Sequence, residues 1–298
     1  MLPLHAGRFV VDTTVSMHDE RSAASPLALT PGVASPRLRG ILRHYWGYGE
    51  RTTGPLRRRE LPSAGVVFII NLGEPLQLTA PAAAPRVVPA GGGFVAGLHD
   101  TYTLTETAGS QEGIELRLSP LGAYRLLGQP MADLANRSVA LDDACGTWAV
   151  ALGERLRNAS GWEERFALLD AALCARQREG RSPEPSPEVV WIWRQLVASG
   201  GRAAIAPLRE ELGWSPKRLI ARFREQVGMP PKQAARLLRF QAAVALLGTN
   251  APRWSEVAQA CGYADQAHLI HEFRRFAGDT PEGLVRRRLA GGGGFAAD

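Results

Sequence analysis

The sequence predicts an α+β, multidomain fold: a β-rich N-terminal domain of sandwich or barrel type, a helical connector and an all-α C-terminal domain. Three observations support this prediction. Short segments rich in Val, Ile, Phe and Tyr, separated by Gly and Pro, occupy residues 37–118 and are typical of strands. Helical patterning replaces them from Pro120 onward. The segment GRSPEPSP at 180–187 holds three prolines, which cannot continue a helix and therefore mark a domain boundary.

The N-terminal part is expected to contain four strands, at residues 41–48, 65–72, 94–99 and 113–118. The last strand includes IELRL, whose strict alternation predicts one buried side and one wet side. Several short strands at this spacing favour a small sandwich or barrel, which we assign to residues 36–140. Residues 1–35 are rich in Ser, Pro and Ala without a clear period, and predict a partly disordered lead-in.

The helical part begins at Ser119, a good N-cap, followed by Pro120 in the first turn. Two amphipathic stretches at 141–157 and 162–178 form the predicted connector. The complete assignment continues with the connector at 141–179, the Pro-rich linker at 180–187, a second domain at 188–290 and a disordered tail at 291–298.

Composition limits the classes of protein that this chain can belong to. It is 45% hydrophobic over 298 residues, enough for two domains. No apolar run approaches the roughly 18 residues of a membrane helix, and we expect no secretory signal and no membrane partner. Three widely spaced cysteines, Cys145, Cys174 and Cys261, suit a reducing cytoplasm better than a disulfide framework.

The positive charge is concentrated in the last third of the chain. Residues 1–187 contain 19 basic and 19 acidic residues, whereas residues 188–298 contain 16 and 10. The net charge of +6 therefore lies entirely in the second domain. A local basic surplus favours a polyanionic partner, nucleic acid first, although a solvated face is the simpler alternative.

An internal repeat organises the second domain. Four residues of one segment recur 50 positions later, and a glycine followed by an aromatic residue precedes each copy. The matched pairs are Leu219 with Leu269, Phe223 with Phe273, Gly228 with Gly278, Pro231 with Pro281 and, at an offset of 49, Gly213 with Gly262. The same local unit therefore occurs twice.

Each unit has the pattern of a helix-turn-helix. A short helix precedes the glycine, which permits the left-handed turn that ends a helix. A second helix follows, with Ser215 and Pro216 at its start in the first copy and Asp265 in the second. In a helix-turn-helix this second helix enters the major groove of DNA.

Helical geometry divides each second helix into two faces. The Leu and Phe of each copy are four residues apart and share the buried face. The groove-facing candidates are Lys217, Ile220, Ala221 and Arg224 in the first copy, and Gln266, Ala267, His268, Ile270, His271 and Arg274 in the second. Gln bonds adenine bidentately, His and Arg reach guanine or phosphate, and Ile and Ala touch thymine methyl groups. The second copy therefore offers more base-specific hydrogen bonds.

Residues 190–288 resemble the DNA-binding domain of AraC/XylS-type bacterial transcription regulators. The similarity lies in the two helix-turn-helix units, in GYADQAHLIHEFRRFAGDTP at 262–281 and in LRFQAAVALL at 238–247. It implies a long helix joining the two units and two recognition helices in successive major grooves. The family's DNA-contact positions correspond to the candidates above, except Arg274, which rests on geometry alone. RRRELPSAGVVFIINLGEPLQL at 57–78 more loosely resembles the uncharacterised β-rich sensor domains of such regulators.

Two groups of residues have a metal-site alternative. Cys261, His268 and His271 are close in sequence, but a structural zinc site requires four ligands. We interpret them as a buried thiol and two groove-facing imidazoles. His44 and His99 lack the His-x-His pair of cupin-like sites, and are interpreted as satisfied or exposed histidines. No metal and no cofactor are predicted.

For three further segments, binding of DNA, of an anionic effector or of phosphate is the alternative to a simple structural role. The arginines at 57–59 are interpreted as a solvated turn, and the glycines at 91–93 as a turn without a following helix. The arginines at 286–288 are expected at the end of the last helix, where the helix dipole favours positive charge.

The sequence thus predicts a cytoplasmic bacterial transcription regulator, associated with the nucleoid when bound to DNA, and not an enzyme. The expected partner is double-stranded DNA; RNA polymerase, an unidentified small-molecule effector and a second copy in a homodimer are further candidates. One alternative is an N-terminal domain that only dimerises or binds a protein. Another, a DNA-repair protein with a methyl-accepting cysteine, is opposed by the absence of cysteine from residues 1–140.

Overall fold

The computed structural model describes residues 27–81, 83–178, 183–248, 253–289 and 294–297. Two antiparallel sheets form the N-terminal half. Their strands are β1 (Leu27–Gly32), β2 (Leu42–Arg51), β3 (Leu56–Glu60), β4 (Val66–Asn71), β5 (Leu76–Thr79), β6 (Arg86–Val88), β7 (Gly93–Ala96), β8 (Thr103–Thr107), β9 (Ser110–Leu118), β10 (Ser138–Ala140) and β11 (Phe295–Ala296). The first sheet has the order β1-β2-β9-β4-β7-β10, and the second has the order β11-β3-β8-β5-β6.

Side chains alternate across the first sheet and divide it into two faces. On β2, the Tyr45 ring packs 5.2 Å from the Phe166 ring on the outer, helix-covered face. The neighbouring residues His44, Trp46 and Tyr48 face the second sheet. On β9, Ile114, Leu116 and Leu118 are fully buried under the helices. The inner face therefore borders a space between the two sheets.

Helices cover the first sheet and form the entire second domain. They are α1 (Pro120–Leu127), α2 (Leu141–Cys145), α3 (Thr147–Asn158), α4 (Trp162–Arg178), α5 (Pro187–Ala198), α6 (Ile205–Glu211), α7 (Pro216–Val227), α8 (Pro231–Ala245), α9 (Trp254–Ala260), α10 (Gln266–Ala277) and α11 (Pro281–Arg286). Ser119 caps α1 by accepting a hydrogen bond from the Gly122 amide at 3.0 Å, as predicted. The connector is interrupted at Gly146, whose φ of 65° breaks the predicted 141–157 helix into α2 and α3.

An aromatic cluster forms the centre of the second domain. The Phe240 ring of α8 lies 5.0 Å from that of Phe273 and 4.9 Å from that of Phe276, both on α10. All three side chains are fully buried, and each contributes roughly 1.5–3 kcal/mol relative to an exposed position. A separate aromatic contact joins Trp193 of α5 to Phe223 of α7, at 6.3 Å. Helix α8 packs against both α7 and α10.

The two domains are joined by polar contacts. Asp100 accepts hydrogen bonds from Gln233 of α8 at 2.7 Å and from Arg275 of α10 at 3.0 Å. The Ala64 amide donates to the buried Gln241 side chain of α8 at 3.0 Å. Arg59 of β3 donates to the Ala277 carbonyl, at the end of α10, at 2.6 Å.

The arginines at 57–59 are not a solvated turn, and that prediction was wrong. They lie within β3, and Arg58 and Arg59 are buried. Arg58 forms an ion pair with the buried Glu50 of β2, so a partner on the other sheet compensates for its burial. Gly91 lies in a turn, with a φ of 74°, whereas Gly93 begins β7. The arginines at 286–288 lie at the end of α11.

Both predicted disordered ends need correction. Residues 27–32 of the proposed lead-in form β1, paired along its whole length with β2. In the proposed tail, Phe295 and Ala296 pair with Arg59 and Arg58 of β3. Phe295 is buried, and removing this apolar ring from water stabilises the pairing. Residues 1–26 and 290–293 lie outside the described residues.

Candidate functional site

Helix α7 has the cap and the buried face that the sequence predicts. The Ser215 hydroxyl accepts a hydrogen bond from the Arg218 amide at 3.2 Å, and Pro216 occupies the first turn. Gly213 precedes it with a φ of 62°, and Gly228 ends it with a φ of 104°, values that favour glycine over other residues. Leu219 and Phe223 are buried.

The opposite face of α7 is open to solvent. Lys217, Ala221 and Arg224 are exposed, and Ile220 retains 44% of its accessible surface. A single exposed apolar residue of this kind is common on protein surfaces. Arg218, which the sequence did not single out, lies over the Trp214 ring at 4.6 Å.

Helix α10 repeats this arrangement. The Asp265 carboxylate accepts a hydrogen bond from the His268 amide at 2.7 Å. The flanking glycines, Gly262 and Gly278, have φ of 75° and 67°. Leu269 and Phe273 are buried. The two copies therefore have the same turn, cap and buried pair.

The predicted groove-facing residues of α10 fall into two groups. Gln266, Ala267, His271 and Arg274 are exposed on one side, whereas His268 and Ile270 are half-buried. The His268 ring packs edge-on to Tyr263 at 5.3 Å, and its Nδ1 lies 3.4 Å from the Ala264 amide. These contacts hold His268 against the turn. We call the predicted groove-facing residues that are exposed the recognition surface. They are Lys217, Ile220, Ala221, Arg224, Gln266, Ala267, His271 and Arg274.

A buried ion pair, which the sequence did not reveal, ties α10 to α8. Arg236 donates two hydrogen bonds to the Glu272 carboxylate, at 2.9 and 2.5 Å, and Glu272 is 1% exposed. Burial alone would raise the pKa of Glu272, but hydrogen bonds and charge attraction from Arg236 outweigh it and lower the pKa. The sequence signal for this ion pair was a glutamate next to a phenylalanine of the buried face of an amphipathic helix. The sequence did not indicate its partner, because Arg236 lies on another helix.

A cavity of about 640 Å³ separates the two sheets of the N-terminal domain. Its apolar part comes from β4, β7 and β5, with Ile69, Phe94 and Leu78 among its lining. Its polar part comes from β2, β9, β3 and β8. The cavity borders the second domain, since Phe240, Gln241 and Val244 of α8 also line it.

Charged side chains occupy the polar part. Arg117 forms an ion pair with Glu115 on the same strand, and Arg58 pairs with Glu50. Glu60 accepts a hydrogen bond from the Thr105 hydroxyl at 3.1 Å. Burial raises the pKa of Glu60 despite the opposing influence of Arg58, and nearby Glu115 raises the pKa of Arg117. The Tyr48 hydroxyl, close to Glu115 and Glu60, has a pKa raised chiefly by burial.

The cavity also accounts for the two histidines of the first domain. His44 lines it, 5.7 Å from the Trp46 ring. His99 is buried at the lining, with Nδ1 2.7 Å from the Gly97 carbonyl. Burial lowers the pKa of His99, which favours the neutral ring.

Family comparisons match both halves of the chain. Residues 208–287 match a family described as a helix-turn-helix domain, and residues 33–140 match a domain of unknown function (DUF6597). The first match spans both units that carry the recognition surface. The chain carries an AraC-type helix-turn-helix domain. No curated protein matches the sequence.

Two solved structures illustrate the similarity in shape. ToxT from Vibrio cholerae has 12% identity, with 81% of this chain and 97% of that chain covered and a TM-score of 0.48. The C-terminal domain of AraT, a response regulator from Geobacillus stearothermophilus, has 22% identity, covering 36% of this chain and 90% of that domain, with a TM-score of 0.33. The identification rests on the family match and on the two units.

Cys261, His268 and His271 are the residues of the metal alternative in the second domain. No group of three His, Cys, Asp or Glu side chains that could hold a metal occurs within the described ranges. Cys261 is buried, and burial raises the pKa of its thiol to about 11. The thiol therefore stays protonated, which is unfavourable for metal binding. None of the helices in the described part of the chain is long and apolar enough to cross a membrane.

Proposed function

We propose that the protein regulates transcription by inserting α7 and α10 into successive major grooves on one side of DNA. The observation that supports this proposal is the repeated recognition surface, exposed on both helices while each buried Leu–Phe pair packs inward. Helix α8 and the Phe240 cluster hold the two units together. In such domains, recognition helices about one helical turn of DNA apart, roughly 34 Å, contact adjacent grooves.

The two kinds of contact are expected to come from different residues. Arg224 and Arg274 are exposed cations suited to phosphate, which positions the protein without specifying sequence. Gln266 and His271 are suited to base edges, because their side chains offer directed hydrogen bonds. Lys217 adds a point charge, and Ile220 and Ala221 offer only apolar contact.

We propose that a ligand in the cavity controls this DNA binding. Residues of α8, the helix between the two units, line the cavity, so a bound molecule could contact α8 directly. A second connection runs through β3. Glu60 lines the cavity, and the adjacent Arg59 donates to the Ala277 carbonyl at the end of α10. Occupancy of the cavity would therefore change both the joining helix and the second recognition helix.

The cavity favours a small-molecule effector over an N-terminal domain that only dimerises or binds a protein. A protein-binding surface does not require an internal space of about 640 Å³, whereas small-molecule sites have volumes of about 300–1,000 Å³. RNA polymerase and a second copy of the chain stay predictions from the sequence. Cytoplasmic location and the absence of enzymatic activity are likewise expectations.

Selection of bound sequences from a random double-stranded DNA pool tests the DNA-binding proposal. The full-length protein should enrich an asymmetric site with two elements about 10–10.5 bp apart, centre to centre. Gln266→Ala and His271→Ala should degrade one element only. Gln195→Ala changes an exposed glutamine of α5, outside both recognition helices, and should leave both elements intact. A pool without enrichment, or with one element alone, would contradict the proposal.

A further inference from the structure

The first domain contacts α7 and α10 at equivalent positions. Glu225 of α7 and Arg275 of α10 are 50 residues apart and therefore occupy the same place in the two repeated units. Glu225 accepts a hydrogen bond from the Tyr124 hydroxyl of α1 at 3.4 Å, and Arg275 donates to the Asp100 carboxylate at 3.0 Å. The first domain therefore offers a donor to the acidic residue of one copy and a carboxylate to the basic residue of the other.

The glycines that end the two helices are further contact points. Gly228 ends α7, and the equivalent Gly278 ends α10. A Cβ atom at Gly228 would lie 3.1 Å from the Met131 carbonyl oxygen, and a Cβ atom at Gly278 would collide with the Tyr102 ring. The first domain therefore packs so closely against the C-terminal end of each helix that little room is left for a side chain.

The two helices differ in what else holds them. Helix α10 is anchored to α8 by the Arg236–Glu272 ion pair and by the Phe240 cluster. Helix α7 also packs against α8, but its further contacts are with α1 and with the short helical turn Met131–Leu134 of the first domain. Its buried Gln226 accepts a hydrogen bond from the Ser186 amide at 2.9 Å. The position of α7 relative to α10 therefore depends on the first domain as well as on α8.

The segments that contact α7 and α10 are bonded to each other within the first domain. Asn136 follows the turn Met131–Leu134, and its side-chain oxygen accepts a hydrogen bond from the Asp100 amide at 2.8 Å. The Asn136 amide donates to the Leu98 carbonyl at 3.0 Å. Asn136 has a φ of 56°, a left-handed conformation that Asn adopts more readily than most residues. The contact to α7 and the contact to α10 therefore belong to one connected unit.

We propose that this unit, residues 98–102 and 131–136, is a clamp that holds the C-terminal ends of α7 and α10 at a fixed separation and so sets the spacing between the two DNA elements. The inference rests on the proposed insertion of both helices into DNA. The clamp residues are positioning residues, because they act through the two helices. One inserted base pair moves an element by roughly 3.4 Å, so helices held at a fixed separation accept one spacing.

Titration of the full-length protein with DNA of altered spacing tests the clamp. Wild type should bind the selected site at least about tenfold more tightly than the same site with one base pair inserted between its elements. In a protein that carries both Asp100→Ala and Asn136→Gly, this preference should fall to about threefold or less. The first change removes the carboxylate that contacts Arg275 and Gln233. The second removes the link within the clamp, and glycine keeps the left-handed φ.

Glu106→Ala is the control for this titration. It breaks an exposed ion pair with Arg57 inside the first domain and should keep the wild-type preference. An unchanged preference in the folded double variant, or a wild-type protein that binds both spacings equally, would overturn the proposal.

The separation of the helices can also be measured without DNA. Spin labels introduced by Ala221→Cys and Ala267→Cys lie at exposed positions of α7 and α10, and the native cysteines are buried. Double electron–electron resonance should give a narrow distance distribution in the otherwise wild-type protein and a broader one when Asp100→Ala and Asn136→Gly are added. Equal widths would overturn the proposal.

The two measurements together separate the clamp from the proposed DNA-binding function. If the double variant changes neither the distances nor the spacing preference while DNA binds, the clamp fails and the DNA-binding function stands. If the distances broaden as expected while DNA does not bind, the clamp is supported and the DNA-binding function fails.

Discussion

Helices α7 and α10 have the same turn, cap and buried Leu–Phe pair, but they differ in their ion pairs and in their exposed residues. Glu272 of α10 is buried and paired with Arg236, whereas Arg222, at the equivalent position of α7, is exposed and pairs with Glu225 at 2.7 Å. His271 of α10 corresponds to Ala221 of α7. The comparison teaches that a duplicated unit can keep its turn, cap and buried pair while its exposed residues diverge.

The largest effect on stability is expected from breaking the Arg236–Glu272 ion pair, which anchors α10 to α8. Glu272→Gln leaves Arg236 without its charged partner and should lower the free energy of unfolding by about 3 kcal/mol, the lower end of the range for buried pairs, since Arg236 is 23% exposed. Denaturant unfolding measures this loss. Glu282→Gln breaks an exposed pair in α11 and should cost at most about 1 kcal/mol. Equal losses in both variants would contradict the anchoring role.

The stabilisation that the Arg236–Glu272 ion pair provides should depend on pH. The pKa of Glu272 is lower in the folded protein than its usual value, so its stabilising contribution is present above the unfolded pKa, about 4.3. That contribution is lost as the pH falls through the folded pKa. The stability difference between wild type and Glu272→Gln should therefore be full at pH 7 and shrink below about pH 4. A difference that grows in acid would contradict this linkage.

Base recognition should differ between the helices. Gln266→Ala and His271→Ala should each cost about 1–3 kcal/mol of binding free energy on the selected site and relax its sequence preference. Ile220→Ala, which truncates an exposed residue of α7, should cost less than either. Titration of labelled DNA by fluorescence anisotropy measures all three. Equal losses on selected and random DNA would remove Gln266 and His271 from the base contacts.

The smallest expected effect is on the salt dependence of DNA binding, and both helices should contribute to it. Arg224→Ala and Arg274→Ala should each reduce the slope of log K against log salt by about 1, because each removes one phosphate contact. Lys232→Ala, on an exposed residue of α8, provides a control for the loss of one positive charge. If the slope stays unchanged in the two arginine variants, neither arginine contacts phosphate.

Sequence patterns predicted the second domain better than the first because the signals that define the second domain lie within short segments of sequence. Caps, glycine turns and the Leu–Phe spacing lie within one repeat, so Ser215 and Asp265 could be assigned before the fold was known. The burial of Arg58 depends on Glu50 of β2, a strand of the other sheet, and a run of arginines alone indicates exposure to solvent. The cavity and the Arg236–Glu272 pair likewise join residues from separate elements, which no local pattern contains.

The most direct test of unequal recognition is the binding free energy of wild-type protein on every single-base variant of the selected site. The account predicts losses of about 1–3 kcal/mol per base in the element bound by α10, and smaller losses in the other element, one helical turn away. Equal losses in both elements would contradict the proposed division between the two helices.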